Sequence, residues 1–267
     1  TVTGLEEQSD HTYCIQTDQG KYYARNIVLA CGGAAAPALG GTDAGCSLLD
    51  QLGIPYYPFQ PALCKLQVQE KLSVLSGVRS KALVTVMDAS SEIHAQEFGE
   101  VQFTGQSLSG IVIFNLSHIA GEMLQDGESV NLCMHFMQFR TNNPERSIQA
   151  CLNGFVHEKL AAYILEPCGW KQGRISELND IELQKLADQI KKLTFHVTAT
   201  AGAEESQVSR GGADTRFIDP ETMKLTVQEH VYVTGELLDT DGICGGYNLM
   251  WAIITGMKAG FSIYDSN

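Results

Sequence analysis

The chain has 267 residues, of which 44% are hydrophobic and 18% charged, which is enough apolar material for one large domain or two smaller ones. Its 18 basic and 31 acidic residues give a net charge of −13, which repels nucleic-acid phosphates and anionic lipid. We therefore expect no nucleic-acid partner, and we expect no membrane partner because no apolar run approaches the roughly 18 residues of a membrane span.

The N-terminal region has the composition of a sheet followed by a helix. Residues 2–5, 12–17 and 22–30 carry β-forming side chains separated by turn residues, which predicts three strands. The last of these ends in an apolar run that stops at Gly32 and Gly33, a pattern typical of a strand buried in a sheet. Thr42 and Asp43 then predict a helix start, and apolar residues follow at helical spacing up to Gly53.

Three prolines, Pro55, Pro58 and Pro61, follow and predict a hinge or domain crossing. Beyond them, residues 63–68, 82–88, 93–103 and 130–134 favour strands, and residues 107–120 favour a turn and a helix. The stretch from Pro144 to Leu193 is helical in pattern, with helices expected over 148–165 and 181–193.

The C-terminal region returns to the pattern of the first. A strand is expected at 195–199, a polar glycine-containing segment at 206–217, a short buried strand at 231–234 and a helix over 246–263. The order predicts an α/β fold, α+β overall, in which residues 1–59 and 194–267 form a discontinuous domain. Residues 60–193 form an inserted domain that is β-rich and helical.

The segment 231–249 has the composition of a ligand-binding loop. A buried strand ends in Gly235 and Glu236, and a loop with three further glycines and the carboxylates of Asp239 and Asp241 leads into a helix. Glycines let a ligand approach the backbone, and a helix start offers N–H groups to an anion. From the residues alone, a glycine-rich loop that merely turns the chain is an equal alternative.

The same segment resembles the C-terminal motif of the HI0933-like family of NAD(P)/FAD-dependent oxidoreductases, G-E-x-L-D-x-D-G-x-x-G-G-Y-N-L, from Gly235 to Leu249. Three further stretches are similar to motifs of that family and extend the resemblance over nearly the whole chain: L-A-C-G-G at 29–33, F-T-G-Q-S-L-S-G at 103–110, and V-S-R-G-G-A at 208–213 with D-P-E-T-M at 219–223.

The resemblance implies a partial FAD-binding Rossmann-like domain interrupted by a β-barrel-like plus helical domain. It implies hydride transfer through flavin N5, with NAD(P)H as a further cofactor and an unknown small-molecule substrate. It places Glu236 as an acceptor for flavin hydroxyls and the amides of Tyr247, Asn248 and Leu249 at the flavin pyrimidine edge. The full set of cofactor-binding residues that it implies is Gly32, Gly33, Gly235, Glu236, Asp241, Gly245, Gly246, Tyr247, Asn248 and Leu249.

Departures from the family pattern occur at Cys31, Gln106, Arg210 and Met250, and those at Gln106 and Arg210 would alter a substrate pocket. Cys31 and Cys244 raise the alternative of a redox thiol, against which simple packing is favoured because no electropositive setting is visible. The eight cysteines form no CxxC pair and the seven histidines no metal-ligand spacing. With no signal peptide, this favours reduced cysteines in a cytoplasmic protein without a metal site.

No GxGxxG turn occurs in the chain, although the family begins with a strand, that turn and a helix. We therefore expect the chain to lack the N-terminal FAD-binding unit, to bind FAD weakly or not at all, and to self-associate through the truncated sheet. Two hypotheses follow: part of an FAD-dependent oxidoreductase, or a non-catalytic fragment or degenerate paralogue acting as a binding or interaction module. The nucleotide sequence upstream of Thr1 would discriminate between them.

Overall fold

The computed structural model describes residues 1–136, 145–170 and 173–266. They form two compact units, of which unit 1 comprises residues 1–62 and 202–267 and unit 2 comprises residues 63–201. The thirteen strands of the described chain are β1 (Val2–Glu7), β2 (Tyr13–Thr17), β3 (Gly20–Ala24), β4 (Ile27–Leu29), β5 (Tyr56–Ala62), β6 (Leu66–Val68), β7 (Arg79–Met87), β8 (Ile93–Phe103), β9 (Ser107–Ser109), β10 (Val130–His135), β11 (Leu193–Thr200), β12 (Val208–Ala213) and β13 (Val231–Val233). The α-helices are α1 (Ala44–Gln51), α2 (Ile111–Gln125), α3 (Ile148–Leu152), α4 (Glu158–Leu165), α5 (Asp180–Lys191) and α6 (Tyr247–Asp265).

Unit 1 is built from three small sheets around one apolar core. Strands β1, β2 and β3 form an antiparallel sheet in that order, β12 pairs antiparallel with β5, and β13 pairs parallel with β4. The core takes the whole of β13 together with buried side chains from β2, β4 and α1, among them Tyr13, Leu29 and Leu49, and Leu237 from the turn after β13. The Tyr13 hydroxyl donates a hydrogen bond to the Glu229 carbonyl oxygen at 2.8 Å, so this buried ring keeps a polar partner.

Unit 2 is a closed six-stranded barrel with helices. The strand order is β10–β11–β6–β9–β8–β7, and β7 pairs with β10 to close the barrel. Alternate residues of β7 and β10 point into the core, which fits the period of two along a strand. Helix α2 buries Val112, Ile113 and Leu116 against this core. The mixed α/β class, with its β-barrel-like inserted portion, is therefore confirmed.

Several expected elements differ in their extent. Residues 22–30 form parts of two strands, because β3 ends at Ala24 and β4 starts at Ile27 and pairs with a different partner. Pro58 and Pro61 lie within β5, and the boundary between the two units follows this strand at residues 62 and 63. A proline cannot donate to a strand ladder, but β5 pairs only with β12 in the described chain, so its other edge needs no donors.

The helical region also differs from the expected pattern. The helix expected over 148–165 is divided into α3 and α4, and α4 has a start of its own at His157, whose Nδ1 accepts a hydrogen bond from the Lys159 amide at 3.2 Å. Pro144, where the helical stretch was expected to begin, lies outside the described residues. Strand β11 pairs with β10 and β6 in the barrel, so the compact unit runs to Ala201 and not to Leu193.

Three kinds of feature are absent from the described residues. No helix there has the length and apolarity needed to cross a membrane. No group of three or more His, Cys, Asp or Glu side chains is placed to hold a metal ion. No disulfide joins any of the eight cysteines, all of which lie in described segments.

Helix α6 presents an unusually apolar exposed face. Of its 19 residues only Thr255 and Ala259 are buried. The large apolar side chains at spacings of three and four residues are between 43% and 80% exposed: Leu249, Met250, Ile253, Ile254, Met257, Phe261 and Tyr264. Contiguous apolar surface of this kind is uncommon on a soluble monomer and normally marks an interface. We call this set the α6 face.

The α6 face predicts that the chain, as an isolated polypeptide, self-associates. The double substitution Ile253→Glu and Met257→Glu places two charges on one side of the helix and is expected to shift the protein from dimers or larger species to monomers. Sedimentation velocity measures this, with Val74→Glu as the control because Val74 is equally exposed outside α6. A monomeric wild-type protein, or an assembly that survives the double substitution, would contradict the prediction.

Candidate functional site

The candidate site begins where β4 and β13 end. The two strands are parallel and in register from Ile27 opposite Val231 to Leu29 opposite Val233. The Thr234 amide continues the pairing by donating to the Leu29 carbonyl oxygen at 3.0 Å. Because the carboxyl ends of parallel strands share one edge, the loops that follow both strands leave from the same place.

Gly33 and Glu236 meet at this edge. A Cβ built on Gly33 would overlap the Glu236 carboxylate and approach the Ser209 side chain, so a side chain at residue 33 would have to displace its neighbours. Glu236 Oε1 accepts a hydrogen bond from the Ser209 amide at 2.8 Å. The sequence motifs identified Gly33 and Glu236. They did not identify Ser209 as the residue that fixes the Glu236 carboxylate, although Ser209 lies in the 208–213 motif.

The environment of Glu236 disfavours its charged form. Burial raises the pKa of this carboxyl above its ordinary value, and the negative charge of Asp241 raises it further. The hydrogen bonds from Ser209 act in the opposite direction and lower the pKa, but burial is the largest effect. Glu236 is therefore a half-buried acid held in one orientation, which suits a group that exchanges hydrogen bonds with a bound ligand.

Gly235 connects this edge to α6. Its backbone has φ +67°, a left-handed conformation that favours glycine. Its amide donates to Thr255 Oγ1 at 2.9 Å, and the Thr255 hydroxyl donates in turn to the Trp251 carbonyl oxygen at 2.8 Å. Thr255 is fully buried and thereby anchors the middle of α6 to the end of β13. Its only sequence signal is a threonine within an otherwise apolar helix.

The loop before α6 is held by Asn248. Its Oδ1 accepts from the Gly242 amide at 2.8 Å, and its Nδ2 donates to the Gly242 carbonyl oxygen at 2.9 Å. Gly245 and Gly246 both have positive φ, at +134° and +92°, so the loop can turn sharply into the helix. The Asn248 side chain therefore closes the loop and leaves its backbone amide at the helix start.

The first turn of α6 lacks a side-chain cap. Gly246 occupies the N-cap position and offers no side-chain acceptor for the amides that follow it. The side chains of Tyr247 and Leu249 are 60% and 73% exposed. The amides of residues 247–249 therefore sit at the positive end of a 19-residue helix with no capping acceptor, which is a chemically suitable place for an anion or an electron-rich ring edge.

A cleft of about 490 Å³ lies beside Gly33 and is lined by residues that include Thr42, Asp43, Cys46, Tyr56, Phe59 and Ala203. The Thr42 amide donates to the Gly33 carbonyl oxygen at 2.8 Å, which closes the loop between them. Ala36 in this loop has φ +49°, and a Cβ on Gly41 would overlap the Ala35 carbonyl group, so the loop has little freedom to change.

The thiols near this edge are not activated. Burial raises the pKa of Cys31, and burial together with the carboxylates of Asp43 and Asp50 raises the pKa of Cys46. A reactive thiol needs a lowered pKa. The environment therefore favours packing over redox chemistry for Cys31.

The sequence-predicted residues thus gather in unit 1. Gly33, Gly235 and Glu236 lie at one sheet edge, Asp241 acts electrostatically on Glu236, and Gly245 to Leu249 form the turn into α6. A parallel strand pair that ends in glycine-rich loops, one of which leads to an open helix start, is the arrangement of a Rossmann-like protein.

The chain belongs to the HI0933-like family, because the family model described as "HI0933-like protein Rossmann domain" matches residues 1–262. It is 32% identical, over 93% of its length, to a 3-dehydro-bile acid delta(4,6)-reductase of Clostridium scindens. It is 26% identical to ribosomal RNA dihydrouridine synthases of Haemophilus influenzae, over 98% of the chain, and of Escherichia coli, over 85%. The chain spans 64%, 66% and 57% of the lengths of these three relatives.

The raised pKa of Glu236 predicts a pH-dependent loss of stability. Below its ordinary pKa of 4.5 the carboxyl is protonated in both folded and unfolded chains. As the pH rises from there to the higher folded pKa, the unfolded chain releases the proton first, so the folded state loses stability. Glu236→Gln keeps an oxygen acceptor for Ser209 and removes this loss.

The measurement is the free energy of unfolding of wild type minus that of Glu236→Gln, followed from pH 4 to about pH 8, a window set by where carboxyl titration acts. We expect the difference to fall as the pH rises and then to level off. Asp241→Asn should narrow the pH range over which the difference falls, because it removes a negative charge that raises the Glu236 pKa. A difference that is constant or rises with pH would contradict the prediction.

Proposed function

We propose that this chain is the flavin-facing part of an FAD-dependent oxidoreductase. Membership in the HI0933-like family and the 32% identity to a reductase support an oxidoreductase of the flavin type. When bound, the reduced flavin would supply a hydride from N5, with NAD(P)H as its source. The residues of this chain bind and orient that group and exclude water around it.

The observation that carries the proposal is the open start of α6 next to the converging strand ends. The uncapped amides of Tyr247 to Leu249 can donate to the pyrimidine edge of an isoalloxazine ring, which becomes negative on reduction. Glu236 stands at the strand edge as an acceptor for hydroxyls, with one oxygen already held by Ser209. The missing side chain at Gly33 makes room for the Glu236 carboxylate, which a Cβ there would displace.

The relatives' names suggest the reaction class. One is a reductase acting on a bile acid, and two form dihydrouridine, a reduced nucleoside, in ribosomal RNA. Both names denote the reduction of a substrate, although the two substrates differ. We therefore propose a two-electron reduction of an unsaturated ring and leave the substrate unassigned, with the cleft beside Gly33 as its approach to the flavin.

The proposal also explains the α6 face. About one third of the length of the first two relatives lies outside the part that this chain matches, and the 267 residues contain no GxGxxG turn. We propose that a segment with this turn packs against α6 in the complete site and adds to the β4–β13 pair. The α6 face would then be buried, and self-association would be a property of the isolated chain.

The test is an FAD titration of the chain with and without a co-expressed N-terminal segment of the family that carries the GxGxxG turn. We expect weak or undetectable binding by the chain alone, because it supplies only the flavin-facing half of the site. We expect near-stoichiometric flavin absorbance in the purified complex. In that complex, Gly33→Val should weaken FAD binding by roughly tenfold or more, since about 1.4 kcal/mol corresponds to tenfold.

The control is Gly105→Val, because residue 105 is exposed in unit 2, has no positive φ, and a Cβ added there would meet no other atom within 4 Å. It should bind FAD as the wild type does. Stoichiometric flavin bound to the chain alone would contradict the proposal that the chain supplies only half of the flavin site. Absence of flavin from the complex would contradict the proposal that the site binds flavin. The latter result would favour a non-catalytic binding module.

A further inference from the structure

A second cleft lies on unit 2 and has a chemistry unlike that of the site in unit 1. It has a volume of about 430 Å³, within the range of roughly 300–1,000 Å³ that is usual for ligand pockets. Its lining includes Arg79 and Lys81 from β7, Phe98 and Glu100 from β8, and Phe155 and His157 from the turn between α3 and α4. Every lining residue belongs to unit 2.

The strand pairing explains why two basic side chains and an aromatic ring share one surface. Arg79 and Lys81 are two residues apart on β7 and are both exposed, so they lie on the outer face of the barrel. Lys81 is opposite Glu100 in the register with β8, which makes Phe98 its diagonal neighbour. Phe98 is 52% exposed, an unusual position for a large apolar side chain on a barrel strand.

The turn between α3 and α4 supplies the other side. Phe155 is 50% exposed and lies two residues before His157. His157 Nδ1 accepts from the Lys159 amide, so in the neutral ring the proton is on Nε2, which is a hydrogen-bond donor. Buried Phe136 forms part of the wall. The cleft therefore offers two aromatic side chains that are about half exposed and a ring donor.

The charges of the cleft are only partly balanced. Arg79 forms an ion pair with Glu100 at 3.1 Å. Lys81 forms no ion pair with any residue in the described part of the chain, although the protein as a whole carries a net charge of −13. An anion entering the cleft would pair with Lys81 and compete with Glu100 for Arg79. Aromatic faces beside cations favour a flat ring that carries the charge.

We propose that this cleft binds a planar ring bearing an acidic group. A nucleoside monophosphate and an aromatic carboxylate share this chemistry: the ring stacks on Phe98 or Phe155, and the acidic group pairs with Lys81 and Arg79. The proposal is independent of the flavin site, because no residue of the cleft takes part in that site.

Isothermal titration of the full chain tests the proposal with two anionic probes, uridine 5′-monophosphate and naphthalene-2-carboxylate. Each has an uncharged counterpart, uridine and 2-naphthalenemethanol. We expect at least one anion to bind and its uncharged counterpart to bind roughly tenfold more weakly or not at all, since a charge-assisted contact is worth about 1.4 kcal/mol or more. The anion that binds identifies the ligand source.

The variants locate the binding. Lys81→Gln and Phe98→Ala should each weaken it by roughly tenfold, through the lost ion pair and the lost stacking. Glu100→Gln should strengthen it, because Arg79 loses its competing partner. Lys71→Gln, at another exposed lysine of unit 2, should leave it unchanged.

Two results would overturn the proposal. One is no binding of either anion at millimolar concentration. The other is binding that Lys81→Gln leaves unchanged, which would place the anion elsewhere in the protein. Lys81 is an exposed residue on the outer face of β7, so its substitution keeps the test decisive even if Phe98→Ala disturbs the fold.

Discussion

The parallel pairing of β4 and β13 is the contact on which the candidate site depends. It joins residues about 200 positions apart in the chain through three residue pairs, and it brings the two glycine-rich loops to one edge. The hydrogen bond from Thr234 to Leu29 extends that pairing, and Gly235 then connects it to α6 through Thr255. Without this pairing, nothing else described in the site would hold Gly33 next to Glu236.

The pairing is also incomplete as a sheet. Parallel strands are normally buried on both faces and flanked by further strands. Among the described strands β4 pairs only with β13, and the other edge of β13 is bonded only to the short segment 223–225 through the Lys224–Tyr232 bridge. Val28 in β4 is 43% exposed, and α6 turns a row of large apolar side chains outward. Both features lie in unit 1 and have one physical explanation in the proposed account, which is a further layer of polypeptide over this part of the site.

Much of the site followed from the sequence because its motifs are local. Strand β13 with the Gly235–Glu236 turn after it, the turn at Gly245 and Gly246, and the start of α6 are each specified by consecutive residues. The same holds for the α/β class and for the barrel strands with alternating apolar residues. The roles proposed for the site residues toward flavin stay predictions, because they depend on a ligand and not on the chain alone.

What the sequence missed depends on contacts between distant residues. The bond from Ser209 to Glu236 spans 27 positions, and the anchoring of Gly235 by Thr255 spans 20. The placement of Pro58 and Pro61 within a strand depends on which edge of β5 is paired, and the assignment of β11 to the barrel depends on β6 and β10. Local composition carries no information about such pairings.

The most direct test of the central claim is amide hydrogen exchange in the complex of this chain with the GxGxxG-bearing segment, compared with and without bound FAD. The account predicts slower exchange on flavin binding at residues 32–33, 235–236 and 247–249, with no change in the barrel strands of unit 2. Protection confined to other residues, with unchanged exchange at 247–249, would contradict the claim that the start of α6 faces the flavin.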